Sequence, residues 1–327
     1  MPEPVVRTVW GDVPISAMGV CYSHEHIIID RSLATERNPD FLLNDTDRAV
    51  TELSQVRAAG GRTMVDSMPC GCGRNVIKLA EVSRRSAMHI LCPTGLHLKR
   101  YYALGHWAER FTANEIAEIF VNEIEQGVDA NDTNGPLLKR TPHRAGLIKV
   151  ASGLNGINDY ERKIFEAAAI AQISTGVTIL THAEQGTAGL EQAALLSANG
   201  VLPNRIVISH TDRKPDVVYH RELLSAGVFL EYDSTFRWKS EDKNPTRDLL
   251  ETLTSDGYSQ QLLVGMDAAR QSYWRSYGGS PGLTFLLESF FPEMLRRGFP
   301  ADVVEQILVV NPGRAYAISR SAIAAAK

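Results

Sequence analysis

The chain has 327 residues, 44% of them hydrophobic, which is enough for two ordinary domains or one large α/β barrel. Its 34 basic and 38 acidic residues give a net charge of −4, so it has no electrostatic footprint for nucleic acid or an anionic membrane. No apolar run approaches the roughly 20 residues of a membrane span, and the first residues lack a basic segment followed by an apolar one. Four cysteines are too few for a disulfide framework. We therefore expect a cytoplasmic protein that acts on a small molecule.

Two short apolar segments, 5–10 and 13–15, flank Gly11-Asp12 and predict a β-hairpin. Because it precedes the first predicted strand, this hairpin is expected to plug the bottom of the fold. Later in the chain, short runs of apolar and β-branched residues bounded by turn signals predict strands. These predicted strands span residues 18–23, 62–67, 88–94, 145–150, 177–182, 205–210, 227–232 and 261–267.

Segments of helical period separate the predicted strands. Such an alternation is typical of repeated βα units around a parallel sheet. Eight strands with intervening helices predict a TIM (β/α)8 barrel of the α/β class, as one domain over residues 1–327. The predicted helices span 45–59, 115–126, 159–174, 190–198 and 216–226, with closing helices over 282–296 and 301–310.

His24-Glu25-His26 stands at the end of the first predicted strand. Barrel enzymes carry their catalytic residues at the carboxyl ends of the strands. In an extended chain both imidazoles face one way, about 6.6 Å apart along the strand, and can bind one metal ion. Taken alone, such a pair is more often two surface or hydrogen-bonded histidines. The residues at the other strand ends must therefore show whether the pair binds a metal.

Four further predicted strands end in polar side chains, namely Lys149, His182, His210 and Asp267. Each alone has an ordinary explanation, such as a satisfied core histidine or the N-cap of the next helix. Together, at five strand ends of one barrel, they indicate a single site. A lysine in a strand buried on both faces must lower its pKa, find an anion or change its chemistry. Reaction with carbon dioxide would make Lys149 an anionic carbamate that can bridge two divalent metals.

These strand ends belong to longer motifs that cover nearly the whole chain. They are Ser23-His24-Glu25-His26, Val65-Asp66 with Gly71-Cys72-Gly73-Arg74, Thr94-Gly95, the segment 144–150, Thr181-His182, Ser209-His210, Gly265-Met266-Asp267 and Asn311-Pro312. On these motifs the chain resembles the phosphotriesterase family of the amidohydrolase superfamily. The resemblance implies two divalent metal ions: His24, His26 and Asp267 on one, His182 and His210 on the other, with Lys149 as N6-carboxylysine and a hydroxide bridging them.

The resemblance also implies a catalytic role for Asp267, which would take up a proton and deliver it to the leaving alkoxide. Imidazole and carboxylate ligands accept zinc, manganese, cobalt or iron, and zinc is expected first. A homodimer is a family-level expectation.

The segments 209–216, 270–273 and 276–279 are most similar to the branch of the family that opens phosphorylated furanose lactones. In that branch Lys239, Arg270 and Tyr273 match the positions that hold the phosphate. His97 is a further candidate contact for the sugar or its phosphate. Organophosphate-hydrolysing members carry a histidine where this chain has Ser234, which counts against a specialised triesterase.

Two alternatives stay open. The first keeps the metals but takes acyl-homoserine or other hydrophobic lactones, with promiscuous organophosphate hydrolysis, and its support is Phe236, Trp238 and Trp274. The second is a non-catalytic metal-binding homologue, against which the presence of all six ligand positions argues. Charge alone assigns Arg237 to a solvated basic loop, and Asp212-Arg213 is expected to form an ion pair that orients the site or pairs at the surface.

Overall fold

The structure is a computed structural model that describes residues 3–154, 156–238 and 243–319. It begins with the predicted hairpin, formed by antiparallel strands β1 (Val5–Thr8) and β2 (Gly11–Pro14). The turn lies at Val9-Trp10, just before the Gly11-Asp12 pair that was predicted to form it. The cause is local, because the Thr8 hydroxyl accepts from the Trp10 amide and donates to the Gly11 carbonyl.

Parallel strands then form the predicted barrel, and each begins within two residues of its predicted start. Helical structure follows every one of them except β5, which runs directly into β6, so the carboxyl ends of the barrel strands meet at one face. The strands are β3 (Val20–Glu25), β4 (Gly61–Asp66), β5 (His89–Leu91), β6 (Pro93–Gly95), β7 (Leu147–Ser152), β8 (Thr178–Ala183), β9 (Ile206–Ser209), β10 (Phe229–Tyr232) and β11 (Leu262–Val264).

The third barrel strand, predicted as one piece over 88–94, is divided into β5 and β6. Pro93 stands at the break and has no N–H to donate to a ladder. As a result β5 pairs only with β4, and β6 pairs only with β7, within the described residues. The hydrogen-bonded strands thus form two arcs, β3 to β5 and β6 to β11. At the other junction, between β11 and β3, the amides of Met266 and Asp267 donate to the His24 carbonyl.

Helices cover the outside of the strands. All five helices predicted between strands are present, with bounds within two residues of the prediction. Two longer helices that were not predicted, Val76–Ser86 and Pro245–Ser255, begin after Asn75 and Asn244, whose side chains cap them. No helix of the described part of the chain is long and apolar enough to cross a membrane.

The helices lie in chain order as follows. They are α1 (Leu33–Arg37), α2 (Thr46–Ala58), α3 (Val76–Ser86), α4 (Trp107–Arg110), α5 (Ala113–Glu125), α6 (Asp159–Thr175), α7 (Gly189–Ala198), α8 (Val217–Ser225), α9 (Pro245–Ser255), α10 (Phe291–Arg296), α11 (Ala301–Glu305) and α12 (Asn311–Tyr316). The closing helices begin and end differently from the predicted 282–296 and 301–310, because π-helical turns at Leu286–Phe290 and Gln306–Val310 run directly into α10 and α12.

The barrel interior is filled by a small apolar cluster. Each of the eight barrel strands contributes one buried side chain to it. Val6 of the hairpin, Met18 and the α12 residues Ala315 and Tyr316 join the same cluster, which supports the predicted plug at the bottom. The strand residues are Cys21, Val65, Leu91, Leu147, Leu180, Val207, Phe229 and Leu263.

A buried ion-pair network lies beside β6, outside the barrel interior. Arg74 donates to both oxygens of Glu123 at 2.8 Å and to Asp132 at 2.9 Å. The Arg74 and Glu123 side chains are 0% and 1% exposed. Thr94 also donates to Glu123, at 2.6 Å. The network fastens the loop after β4 to α5 and to the segment that precedes β7.

Candidate metal centre

The carboxyl ends of the strands bring all six predicted metal ligands to one cavity. Three of them, His26, His210 and Asp267, lie just beyond the end of a strand. Of these, His210 and Asp267 had been predicted as the last residues of their strands. His210 follows β9 with φ of 64°, and Asp267 lies past β11 with φ of 46°. Histidine and aspartate tolerate this left-handed conformation better than β-branched residues do. The cavity is lined by His24, His26, Lys149, His182, His210 and Asp267.

The first histidine, His24, lies at the centre of the cluster. Its Nε2 is 3.5 Å from the Lys149 amine and 3.8 Å from Asp267 Oδ1. The same Asp267 oxygen lies 3.1 Å from His26 Nε2. The His210 ring is 4.8 Å from that of His24 and 4.5 Å from that of His182. The histidines, the lysine and the aspartate therefore surround one space.

Three of the histidines are oriented by a partner on their outer nitrogen. Nδ1 of His24 lies 3.1 Å from both Ser209 Oγ and Glu231 Oε2. Nδ1 of His210 lies 2.5 Å from Asp233 Oδ2. These contacts leave the other nitrogen of each ring toward the cavity, as outer carboxylates do for metal-binding histidines.

His182 is held in the same way by Glu184, whose Oε2 lies 2.9 Å from its Nε2. Glu184 also accepts from Arg100 at 2.8 Å. Hydrogen bonding to His182 lowers the pKa of Glu184 to about 2, so that residue is an anion at neutral pH. This pair was not predicted, although Glu184 stands only two residues after His182 in the sequence.

The protonation of the site suits metal binding. Burial lowers the pKa of His24 well below its ordinary value and lowers that of His210 to about 3, so both rings are neutral. Neutral imidazole is the form that binds a metal. Lys149 is 1% exposed, and burial lowers its pKa to about 8. A buried amine with a pKa of about 8 is partly neutral near neutral pH.

Two groups of side chains have ligand atoms close enough to hold an ion. His24, His26 and Asp267 form one of them, and the Nδ1 atom of His26 is buried without a hydrogen-bond partner among the described residues. The other consists of His24, His210, Glu231 and Asp233. Its atoms already form short histidine–carboxylate contacts, so we interpret it as the support behind the ligands. The residues around the cavity thus fit a metal ion.

Asp267 faces two ways. While Oδ1 lies near the histidines, Oδ2 accepts from Arg213 at 2.5 Å and from Arg237 at 2.8 Å. Burial alone would raise the pKa of Asp267, but Arg237, His26 and Arg213 hold it well below its ordinary value. Arg213 was expected to pair with Asp212 but pairs with Asp233 and Asp267, and Arg237 is not a solvated loop residue. Nothing in the local sequence of Arg237 indicated this contact.

Comparison with known proteins gives the family. Residues 4–316 match the model of the Phosphotriesterase family. The chain belongs to the phosphotriesterase family. This membership, together with relatives named as lactonases and as an aryldialkylphosphatase, makes the protein a hydrolase that acts on ester bonds.

Members of the phosphotriesterase family resemble this chain over almost its full length. A phospho-furanose lactonase of Mycoplasmopsis synoviae is 32% identical over 97% of this chain and 93% of that protein. The solved structure of a lactonase from Listeria monocytogenes has a TM-score of 0.88 and 28% identity, covering 97% of this chain and 100% of the other. The phosphotriesterase homology protein from Escherichia coli, solved with phosphate in its active site, has a TM-score of 0.84 and 27% identity, covering 92% and 99%.

Three of the four residues predicted to bind the phosphate or sugar lie around the same cavity. Arg270, Tyr273 and His97 line it. Arg270 is partly exposed, 3.6 Å from Asp40, and its guanidinium lies 4.6 Å over the Phe41 ring. The fourth, Lys239, lies outside the described residues.

Proposed function

We propose that the protein is a lactonase that opens a phosphorylated furanose lactone, with two divalent metal ions and N6-carboxylated Lys149 at its centre. The observation that carries this proposal is the juxtaposition, in one cavity, of six ligand side chains with Arg270 and Tyr273. The names of the phospho-furanose lactonases add support. The geometry explains how each part of such a substrate would be handled.

The metal ions would be held in two groups. His24, His26 and Asp267 are assigned to one ion, and His182 and His210 to the other. When bound, such ions polarise a carbonyl and activate water, and zinc suits these ligands as do manganese, cobalt and iron.

Lys149 is assigned the bridge. Because burial lowers its pKa to about 8, a useful fraction is neutral amine near neutral pH. The amine nitrogen bonds to the carbon of carbon dioxide and releases one proton, which leaves a carbamate with one negative charge. Among cavity residues of the described chain, no other lysine lies so near the His24 ring.

Asp267 is assigned the proton transfer. Hydrolysis of a lactone adds water to the ring carbonyl and breaks the bond to the ring oxygen, so one proton must pass from the water to that oxygen. The carboxylate of Asp267 is suitable because Arg213 and Arg237 fix its orientation. The guanidinium groups leave Oδ1 directed to the reacting side.

Arg270 and Tyr273 are assigned the phosphate, together with Lys239. A guanidinium fork and a phenol match the oxygens of a phosphate, and a lysine adds a compact charge. Arg270 is already oriented over the Phe41 ring at the edge of the cavity. The His97 ring lies 4.9 Å from the His182 ring and is tilted by 56° to it, where it would contact the sugar.

The aromatic residues favour a second candidate only weakly. Trp274 is fully buried and donates to the Ala268 carbonyl, and Trp238 donates to Thr246. The Phe236 ring packs against a cavity residue, 5.0 Å from the Tyr273 ring. It would serve a hydrophobic lactone or an organophosphate.

A rate comparison tests the proposal. Phosphorylated γ-lactones, plain γ-lactones, acyl-homoserine lactones and an organophosphate triester are compared by proton release, with metal-stripped protein as the control. Preference for the phosphorylated lactones supports the proposal, and preference for another class overturns the substrate assignment. Two metals per chain without turnover of any ester would favour the non-catalytic alternative.

Substitution of Arg270 tests the phosphate contact. Loss of a charge-assisted hydrogen bond costs about 1.5–3 kcal/mol, so Arg270→Ala should lower kcat/KM for phosphorylated lactones about tenfold to a hundredfold and leave plain lactones unchanged. Arg275→Ala is the matched control, because Arg275 lies on the same loop but binds Thr284 and Glu288 away from the cavity. If Arg270→Ala leaves the ratio of the two rates unchanged, the phosphate assignment is wrong.

A further inference from the structure

Glu25 stands between the two metal-binding histidines and is fully buried. Side chains alternate along a strand, so Glu25 points away from the cavity that His24 and His26 line. No lysine, arginine or histidine of residues 3–154, 156–238 and 243–319 forms an ion pair with it. A buried polar group is costly unless it is hydrogen-bonded, and the hydrogen bonds of Glu25 show which part of the fold it holds.

Both carboxylate oxygens of Glu25 accept hydrogen bonds from the backbone on either side of Asp267. Oε1 accepts from the Met266 amide at 2.8 Å, and Oε2 accepts from the Ala268 amide at 3.3 Å. The Asp267 amide itself donates to the His24 carbonyl at 3.0 Å. The backbone N–H groups of three successive residues, 266–268, thus donate hydrogen bonds to two neighbouring residues of β3.

This turn needs external support. Asp267 has φ of 46°, a conformation that non-glycine residues keep only where their surroundings enforce it. The two strands approach so closely that a Cβ at Gly265 would lie 2.6 Å from the His24 amide nitrogen. No ladder joins β11 to β3 in the described residues, so the contacts from Glu25 and the His24 carbonyl make the junction.

We propose that Glu25 is a positioning residue for ester hydrolysis, whose side-chain carboxyl group fixes the Met266–Ala268 turn so that Asp267 meets His24 and His26 at one ion. The residue acts through the backbone and does not touch the substrate. One three-residue motif therefore supplies two ligands through its outer members and orients the third ligand through its middle member. This inference holds for any ester substrate and does not depend on the phosphate assignment.

The test compares Glu25→Gln with Asp129→Asn. Glutamine keeps the size of the side chain but replaces one acceptor by an NH2 group, which faces a backbone N–H and cannot accept from it. Asp129 is a matched control: it is 3% exposed, accepts from the amides of Thr133 and Lys139, and does not line the cavity. Both variants lose an acceptor for two backbone amides, but only Glu25 adjoins Asp267.

Three properties are measured on the full chain: kcat and KM with the best substrate of the wild type, cobalt(II) affinity by competition with a chelator, and the visible spectrum of the cobalt(II) form. Loss of groups that orient ligands costs about 10–100-fold in metal affinity or activity. We expect Glu25→Gln to lower kcat by that factor with KM within about twofold, to weaken cobalt(II) at one site and to change its spectrum. Asp129→Asn should keep all three properties.

The proposal is overturned if Glu25→Gln and Asp129→Asn have the same kcat, cobalt(II) affinity and spectrum, or if only KM changes. Glu25→Ala should lose more than Glu25→Gln, and if it does not fold, the glutamine variant decides. If the protein turns over no phosphorylated lactone, the proposed substrate fails, while the cobalt(II) measurements still decide the role of Glu25.

Discussion

Removal of Arg74 should strongly destabilise the protein without touching the metal ligands. The change is Arg74→Met, which keeps much of the apolar stem and deletes the charge. Glu123 and Asp132 then remain buried without their shared cation, and their side chains are only 1% and 13% exposed. Removing one partner of a buried pair typically costs about 3–5 kcal/mol, and little solvent screening reduces that cost here.

The assay is urea unfolding of fully metal-loaded protein, because bound metal itself stabilises the folded state. At about 2 °C per kcal/mol for a large domain, the same loss should lower Tm by about 6–10 °C. Glu123→Gln alone should also destabilise, since Arg74 then loses a bidentate partner. The double variant should be more stable than the sum of the two losses predicts, by about 1–3 kcal/mol.

Additive losses would contradict this reasoning. If the two single losses sum to that of the double variant within about 0.5 kcal/mol, Arg74 and Glu123 are not energetically coupled. A loss below about 1 kcal/mol for Arg74→Met would show that water reaches the carboxylates after the substitution.

Two other substitutions probe the cavity. Lys149→Met should lower the metal content of the protein and reduce kcat at least about 100-fold. Lys163→Met removes an amine that donates to helix carbonyls and should change neither property. Elemental analysis and rate measurements check both variants, and full activity in Lys149→Met would refute the bridging role. Gly95→Ala places a Cβ 1.9 Å from the Lys149 carbonyl oxygen and should reduce both Tm and metal content. Gly105→Ala is also at positive φ but has nothing within 4 Å of the new Cβ, so it should lower the free energy of unfolding by only about 1 kcal/mol. Equal Tm values for the two variants would show that the backbone conformation matters and the contact does not.

The barrel and its ligand cluster could be predicted because both follow from regular spacing. A parallel barrel brings all strand ends to one face, so His24, Lys149 and His182 needed only correct strand positions. The exact ends were harder to predict. His210 and Asp267 leave their strands in the left-handed region, and that depends on contacts with Asp233 and with the β3 backbone.

The supporting residues could not be predicted because their partners lie far away in the sequence. Arg213 and Arg237 converge on Asp267 from two different loops, and Glu123 meets Arg74 across 49 residues. Neither the amino-acid composition nor the spacing of the hydrophobic residues indicates these contacts. Glu184, by contrast, stands two residues after His182, and Asn75 and Asn244 stand directly before their helices, so these three contacts have a local signal in the sequence.

In the described residues the barrel has two seams that no strand ladder closes, one between β5 and β6, at Pro93, and one between β11 and β3. His24 and His26 belong to the short arc, whereas Lys149, His182 and His210 belong to the long one. An ion bound by ligands from both arcs would therefore link the two arcs across the β11–β3 seam. Loss of the metal would then affect the fold as well as catalysis, because the two arcs could move relative to each other at the face where the substrate enters.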